Sequence, residues 1–594
     1  MLEEVEVSTD HPRYEYVAVS YPWKPSEGED ESKGGYYLKS SSRPVKLRDI
    51  LLDRIIHYVQ YATHNRAGAD KHIPFWIDQL SINQKHRREK YHAVQSMDLV
   101  YKYCTAAVGY LWVEIETQDQ LDLLGRLLRG QIANESQQRP RLGKNVDGPT
   151  SEKVLQLLLR ITDDPWWNSA WIFQEDYVSE EKMCLLIRHS AKLSKENAKR
   201  EVGDLLGELV VNSADFRKHA TLFCLAYRQR MAQDLRICKD CDGVLNKAGE
   251  YTIMHKYDRG AVGDRIRKAM SPTLFTALGS RRVEHTPDIP AISANCLQYP
   301  IRLYPSKIKM SRSSLSICIL ALYLINGEII KNDEDNPGQL SQDIFRYLQD
   351  QTMSLDTRVD GWELRFMKHC RLSSVRLSDD GIVTKGMLWK VCKEIPPDEL
   401  LPTGSPVNKD YSRKDLYQVG LDEYQRKRLG VLARWLRRLR YICLAEGLEN
   451  FLRSEQPSYS SHDDWPSGFC MSMMAHQIVK AMDAGKPLQL GLLIRNNPKA
   501  YGSYQAIFVR NYREFHDPRK SFIFTSWSCT REYASEEFLT RNPAKYVSLE
   551  VVRGGQTSDG CQTLRTKRWV NGLCFFAGEQ IRDFVFPWPQ SLIK

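Results

Sequence analysis

The sequence predicts an α/β protein: a parallel sheet with flanking helices at the N-terminal end, followed by a mainly helical region and then a mixed, strand-rich α+β region. Three observations predict it. Short runs of β-forming apolar residues alternate with helically spaced segments up to about residue 188, the pattern of consecutive βαβ units. Hydrophobic residues make up 42% and aromatics 10% of the 594 residues, enough for large cores and too many for a disordered chain. Beyond about residue 360, runs of strand-formers separated by turn signals take over.

The elements follow in order. Tyr16-Val-Ala-Val-Ser20 is a short apolar run suited to a buried strand. Over 45–62, apolar residues at Val45, Leu52, Ile55, Ile56 and Val59 have helical spacing. The run 73–77 predicts a second strand, with Pro74 near its start, where a missing N–H is tolerated. Val94, Met97, Tyr101 and Cys104 predict one helix over 89–104, and 107–113 a third strand. The polar, Gly- and Pro-containing segment 131–152 reads as an exposed insertion. A helix over 154–161 and a last strand over 182–187 complete the segment. Residues 200–235 and 261–330 read as mostly helical, with linkers near 331–342, 396–414 and 454–467. Asp380-Gly381 predicts a hairpin turn, and 506–509, 522–525 and 546–552 read as strands.

Charge and cysteine usage exclude several classes. The net charge of +10 is mild over this length, and no block of five like charges marks a nucleic-acid arm, so no nucleic-acid partner is predicted. The acidic start, Met1-Leu-Glu-Glu-Val-Glu, argues against a targeting peptide. The longest apolar run, 315–325, is about half of the roughly 20 residues a membrane-spanning helix needs, so no transmembrane segment is predicted. Scattered cysteines in a long chain point to a reducing, cytoplasmic compartment. Cys238-x-x-Cys241 is half a metal site with only His255 nearby, so no metal is assigned. The 434–440 segment is a basic amphipathic helix, either a solvated face or a surface for an anionic membrane or acidic partner.

Three blocks carry the sharpest signal: Tyr16-Val-Ala-Val-Ser-Tyr-Pro-Trp23, Trp76-Ile-Asp-Gln-Leu-Ser-Ile-Asn-Gln84 and Trp166-Trp-Asn-Ser-Ala-Trp-Ile-Phe-Gln-Glu175. Each places polar groups just beyond an apolar run, and an open parallel sheet binds ligands beyond the carboxyl ends of its strands. Ser20, Tyr21 and Trp23 follow the first strand, Asp78, Asn83 and Gln84 the second, and Glu114 the third. Each has a plainer reading. Trp166, Trp167 and Trp171 suit a core, Asp78 a turn or cap, Asn83 and Gln84 loop backbone groups, Glu175 a paired structural carboxylate, and Glu89 a helix start.

The blocks resemble those of the fungal heterokaryon-incompatibility (HET) domain over residues 14–188. Lys24, Ser81 and Ser169 stand where that family has Gly, Cys and Arg, so block two offers no thiol nucleophile. The resemblance implies a HET domain over 14–190, with a helical region over 191–340 and a strand-rich region over 341–594 after it. It implies a TIR-like, flavodoxin-like sheet and a role in vegetative incompatibility and programmed cell death. The implied partners are other incompatibility proteins and further copies of the chain, and no resident cofactor is implied. The Trp171-x-x-x-Glu175 spacing is similar to that of NAD-cleaving TIR domains. By that likeness NAD would be a substrate, Glu175 and Asp78 the catalytic carboxylates, and Ser20, Tyr21, Trp23, Asn83, Gln84 and Trp171 the ligand-binding residues.

Overall fold

The structure is a computed structural model. It describes residues 2–3, 15–39, 43–67, 73–136, 139–251, 253–254, 270–304, 314–332, 343–351, 371–396, 400, 421–454, 468–494, 503–509, 522–526, 548–575, 581–589 and 592. The chain divides into two compact units, Met1–Arg259 with Leu274–Cys318, and Gly260–Thr273 with Ile319–Lys594. The linkers read near 331–342, 396–414 and 454–467 lie almost wholly outside the described residues, as does His255.

The first unit is built on a sheet of five strands. Strand β1 (Val17–Ser20) leads through helix α1 (Asp49–Ala67) to β2 (Phe75–Trp76). Three short helices follow, α2 (Asp78–Ser81), α3 (Arg87–Gln95) and α4 (Met97–Tyr103), and then the central strand β3 (Ala106–Ile115). Next come α5 (Gln118–Leu128), a hairpin of β4 (Ala133–Ser136) and β5 (Arg139–Leu142), α6 (Gly148–Thr162) and α7 (Ala170–Ser179). Strand β6 (Met183–His189), the short α8 (Lys199–Val202), β7 (Glu208–Asn212), α9 (Ser213–Arg230) and α10 (Leu235–Ala248) complete the run. The sheet order is β2-β1-β3-β6-β7, with all pairings parallel except β6 with β7. Alternate residues serve opposite faces. Ala18, Ala107, Leu111, Leu185 and Ile187 face a core with α5, α6, α9 and α10, while Val17, Val19, Val108 and Leu186 face a second core with α1. Burial on both sides is why these strands read as unbroken apolar runs.

Three expectations are corrected. The helix read over 45–62 begins at Asp49, because Val45 and Arg48 are held in an extended approach. The Val45 amide donates to the Tyr36 carbonyl, and Arg48 to the Pro22 carbonyl at 2.8 Å. The single helix read over 89–104 is broken at Ser96, which ends α3 and starts α4, so that Met97 and Tyr101 can turn into the core. The segment read as an exposed insertion contains the β4–β5 hairpin, whose Ala133 is buried. The region 200–235, read as mostly helical, is so, but it also holds the antiparallel edge strand β7.

Strand β7 is pinned from across the sheet by Arg54 of α1. The Arg54 guanidinium pairs with Glu208, donates to the Leu111 carbonyl at 2.8 Å and the Leu186 carbonyl at 3.3 Å, and lies 4.2 Å from the Tyr110 ring centre. Pair and ring are buried together.

In the second unit, the turn read at Asp380-Gly381 joins β8 (Arg376–Ser378) to the 15-residue β9 (Gly381–Ile395). Strands β10 (Leu488–Leu493), β11 (Tyr504–Val509), β12 (Phe522–Ser526), β13 (Ser548–Gln556), β14 (Gln562–Trp569), β15 (Gly572–Cys574) and β16 (Arg582–Pro587) extend this sheet. One side of β9 pairs first with β16 and then with β12, which closes the row β12-β13-β14-β16 into a ring with β9. The handover falls at Gly386, where an added Cβ would lie 2.4 Å from the Thr525 carbonyl oxygen and would part the strands. The apolar run at 315–325 is the helix Leu315–Ile325. No helix among the described residues is long and apolar enough to cross a membrane.

Candidate functional site

The sheet order reverses beside β1: the strand after it in sequence lies on one flank and β3 on the other. At such a reversal the connections leave in opposite directions and open a crevice at the carboxyl ends of the strands. Ser20 closes β1 at that point and is fully buried. Block three arrives over it. Pro165 and the N-cap Asp164 start a short 3-10 turn, and Ser169 caps α7 by accepting from the Ile172 amide at 3.5 Å. This lays the Trp166 ring on Gly109, the register partner of Ser20, where an added Cβ would meet the ring at 2.8 Å. The Trp166 indole donates to the Ser20 hydroxyl at 3.2 Å.

Block two reaches the same point from the other flank. Asp78, at the start of α2, accepts from the Tyr21 hydroxyl at 2.9 Å, the Trp23 indole at 2.7 Å and the Gln79 amide at 2.7 Å. Withdrawal from water raises its pKa despite these donors. The Gln84 amide donates to the Asp78 carbonyl at 3.3 Å and so shapes the loop. Trp23 stays 50% exposed while its indole N–H is engaged.

Glu175, on the second turn of α7, is only 6% exposed. The Ser20 and Tyr101 hydroxyls lie beside its carboxyl and favour the anion, as hydrogen-bond donors do, but burial outweighs them. The charge of Asp78 adds to burial, and the pKa stands well above the ordinary glutamate range. Among the described residues, Oε2 has no hydrogen-bond partner. The single proton of the Tyr101 hydroxyl is shared between the Glu175 carboxyl and the Val19 carbonyl, 2.8 Å away. The next acid, Asp176, turns away to Arg217 and to the Ser213 hydroxyl, at 2.7 Å, and so anchors α7 to α9.

Ser20, Tyr21, Trp23, Asp78, Gln84 and Glu175 therefore meet at one junction. Asn83 does not: it is exposed, and its carbonyl accepts from the Lys85 and His86 amides at 3.2 and 3.3 Å. Trp171 shares a helix face with Glu175, but it is half-buried and bonded to Asp288. Glu114 pairs with Arg188 at 2.9 Å, and Glu89 sits in the first turn of α3 beside His86. Where the chain departs from the family pattern, Lys24 pairs with Glu284 at 2.6 Å and the Ser81 hydroxyl accepts from the Ile77 amide at 3.3 Å. Ser169 caps α7 and pairs with Arg282 in a short parallel bridge. Sequence reasoning missed Tyr101, whose hydroxyl reaches the junction from α4. It also missed Arg48 and Glu29, paired at 3.0 Å beneath the Trp23 loop. Tyrosine at a helical apolar position reads as packing, so its polar tip left no separate signal. Among the described residues, no group of His, Cys, Asp and Glu is placed to hold a metal ion.

The raised pKa of Glu175 makes a sign-definite prediction. The folded chain holds this proton more tightly than the unfolded chain, where the group titrates near 4.5. Stability is therefore undiminished below that pH and falls as pH rises above it toward the higher folded value. Glu175→Gln keeps the shape of the neutral acid and should remove the Glu175 share of the decline, leaving the share of Asp78, whose pKa is also raised. Urea unfolding at pH 8 should show the variant more stable by roughly 1–3 kcal/mol, with the two proteins alike near pH 4.5. Parallel stability curves across that range would refute the assignment.

Residues 16–175 match the family model described as Heterokaryon incompatibility protein (HET). No curated protein and no solved structure matches the chain significantly. The match begins one residue before β1 and ends on Glu175, and so spans all three blocks that meet at the junction. The chain is a heterokaryon incompatibility (HET) domain-containing protein, with a role related to heterokaryon incompatibility.

Proposed function

We propose that this chain acts in vegetative incompatibility of filamentous fungi as a cell-death signalling module, through other incompatibility proteins or further copies of itself. One observation carries this reading: neither acid at the junction stands as an open, ionised carboxylate. Asp78 is held by three donors, and Glu175 is buried in a setting that favours its neutral form. A neutral acid can fix the position of three chain segments without supplying charge to a reaction. The test is overexpression in a filamentous fungal host. Growth arrest is expected for the wild type and for Glu175→Gln, and loss of arrest for a variant that unfolds the first unit. Absence of any growth defect from the wild-type protein would overturn the reading.

A TIR-like NAD-cleaving activity is a second reading, favoured by the unpartnered Glu175 oxygen at the sheet reversal and by the order β2-β1-β3-β6 of the parallel strands, which places that reversal beside β1. Loss of nicotinamide leaves an oxocarbenium-like ribose, which an ionised carboxylate stabilises. Glu175 would have to shed its proton and meet solvent to serve. Nicotinamide release from NAD by the purified chain, abolished in Glu175→Ala, would establish this reading. No turnover by the folded wild-type protein would remove it.

A further inference from the structure

The second unit carries a corner at which several cations are exposed. Helix α11 (Glu423–Arg438) meets α12 (Ile442–Ser454) there. The inner face of α11 is consumed: Leu429, Leu432, Ala433 and Leu436 are buried in one apolar cluster with α12 and with α13 (Gly468–Asp483). Two of its cations are also spent inward. Arg428 pairs with Asp483 at 2.9 Å, and Arg426 donates to the Leu452 carbonyl at 2.9 Å.

The outer face is different. Lys427, Val431, Arg434 and Arg438 recur at steps of four, three and four, which places them on one stripe. The stripe runs into the turn, where Arg440 adopts φ 64° and is exposed beside Leu439 and Ile442, themselves 37% and 40% exposed. Between 434 and 443 there are four arginines and no acid. Arg437 is taken by Glu449 at 2.7 Å, whereas Lys427, Arg434 and Arg440 make no ion pair among the described residues. Lys393 of β9 adds a further cation, 5.3 Å from the Tyr441 ring centre. Along the chain the acids closest to these cations are Glu446, one turn beyond Ile442, Glu449, already paired with Arg437, Glu423 at the far end of α11, and Glu394, which follows Lys393 in β9.

We propose that this corner docks on an anionic phospholipid surface. Cations flanking exposed aliphatic side chains suit a headgroup layer, where guanidinium groups meet phosphates while the apolar tips enter the acyl boundary. Sequence-tolerant nucleic-acid grooves pair cations with open aromatic faces. Here the Tyr441 ring is half-buried, set edge-on to Tyr504 at 5.1 Å, so no open ring is offered. The inward face of α11 is already occupied, so docking needs no rearrangement of the helix.

Vesicle co-sedimentation of the full chain tests this. Binding is expected to phosphatidylcholine vesicles containing phosphatidylserine, with little to phosphatidylcholine alone. Arg434→Gln combined with Arg440→Asn should weaken it about 25-fold, roughly fivefold per cation. Asn tolerates the left-handed backbone at 440. Arg434→Lys, which keeps the charge, should retain binding. Leu439→Ser with Ile442→Ser should remove the part of the binding that survives high salt. Melting curves matching the wild type will show that the exposed substitutions leave the fold intact. No binding to the anionic vesicles, undiminished binding by the Gln/Asn variant, or capture of duplex DNA with vesicles ignored would each overturn the proposal.

Discussion

Trp166→Ala is expected to destabilise the first unit by about 3–5 kcal/mol, the range for emptying the site of a buried large aromatic. The indole is 1% exposed and rests on Gly109. Its ring stands edge-on to Trp167, with centroids 4.8 Å apart. The same change strips the buried Ser20 hydroxyl of its donor. The neighbours are poorly able to collapse into the void, because Gly109 contributes no side chain and Ser20 is held by β1. Against a typical domain stability of about 5–15 kcal/mol, such a loss removes much of the margin. Trp166→Phe keeps most of the volume and should cost far less. Urea unfolding of the three proteins decides the matter, and a loss below about 1 kcal/mol for the alanine variant would show that the ring is not a keystone of the junction.

The second large effect is expected at Glu208. Removing it leaves the Arg54 guanidinium buried with two carbonyls and an aromatic face but without its paired carboxylate. Breaking a buried pair from one side costs about 3–5 kcal/mol, whereas exchanging both partners for apolar residues of similar volume is often close to neutral. Glu208→Ala should therefore be severe, and Arg54→Met with Glu208→Leu should recover most of the loss. A double-mutant cycle reads the coupling directly. Additive single effects would mean that the pair contributes little to holding α1 against β7.

Much of the first sheet is legible in the sequence because parallel strands are buried on both faces. Val17–Ser20 and Ala106–Ile115 present near-continuous apolar runs with little else to be. What periodicity hides is a break that keeps its phase. Val94, Met97 and Tyr101 continue one helical pattern across Ser96, although the chain turns there. Strand β7 was hidden for another reason: five residues between helical segments carry too few repeats to choose a period. The junction was legible in outline, since the aromatic blocks marked Ser20, Tyr21, Trp23, Asp78 and Glu175. Their roles were less so. Asn83 belongs to a loop whose own amides claim its side chain, and the side-chain donors at the Asp78 and Glu175 carboxyls come from segments 55 or more residues away. Such pairings are fixed by the sheet order, which local sequence does not encode.

The antiparallel fifth strand also bears on how this region can be subcloned. A fragment ending at residue 175 would omit β6 and β7 and leave β3 as a bare margin, and one ending at residue 190 would leave β6 so. Either truncation turns backbone amides and carbonyls toward any passing chain, an invitation to edge-to-edge association. It would also discard the Arg282 backbone, which bonds to Asn168 and Ala170 on either side of Ser169. An expression piece meant to behave as the intact unit must therefore run on through residue 302, whose guanidinium ties Asp98 to the segment that crosses α3 and α4.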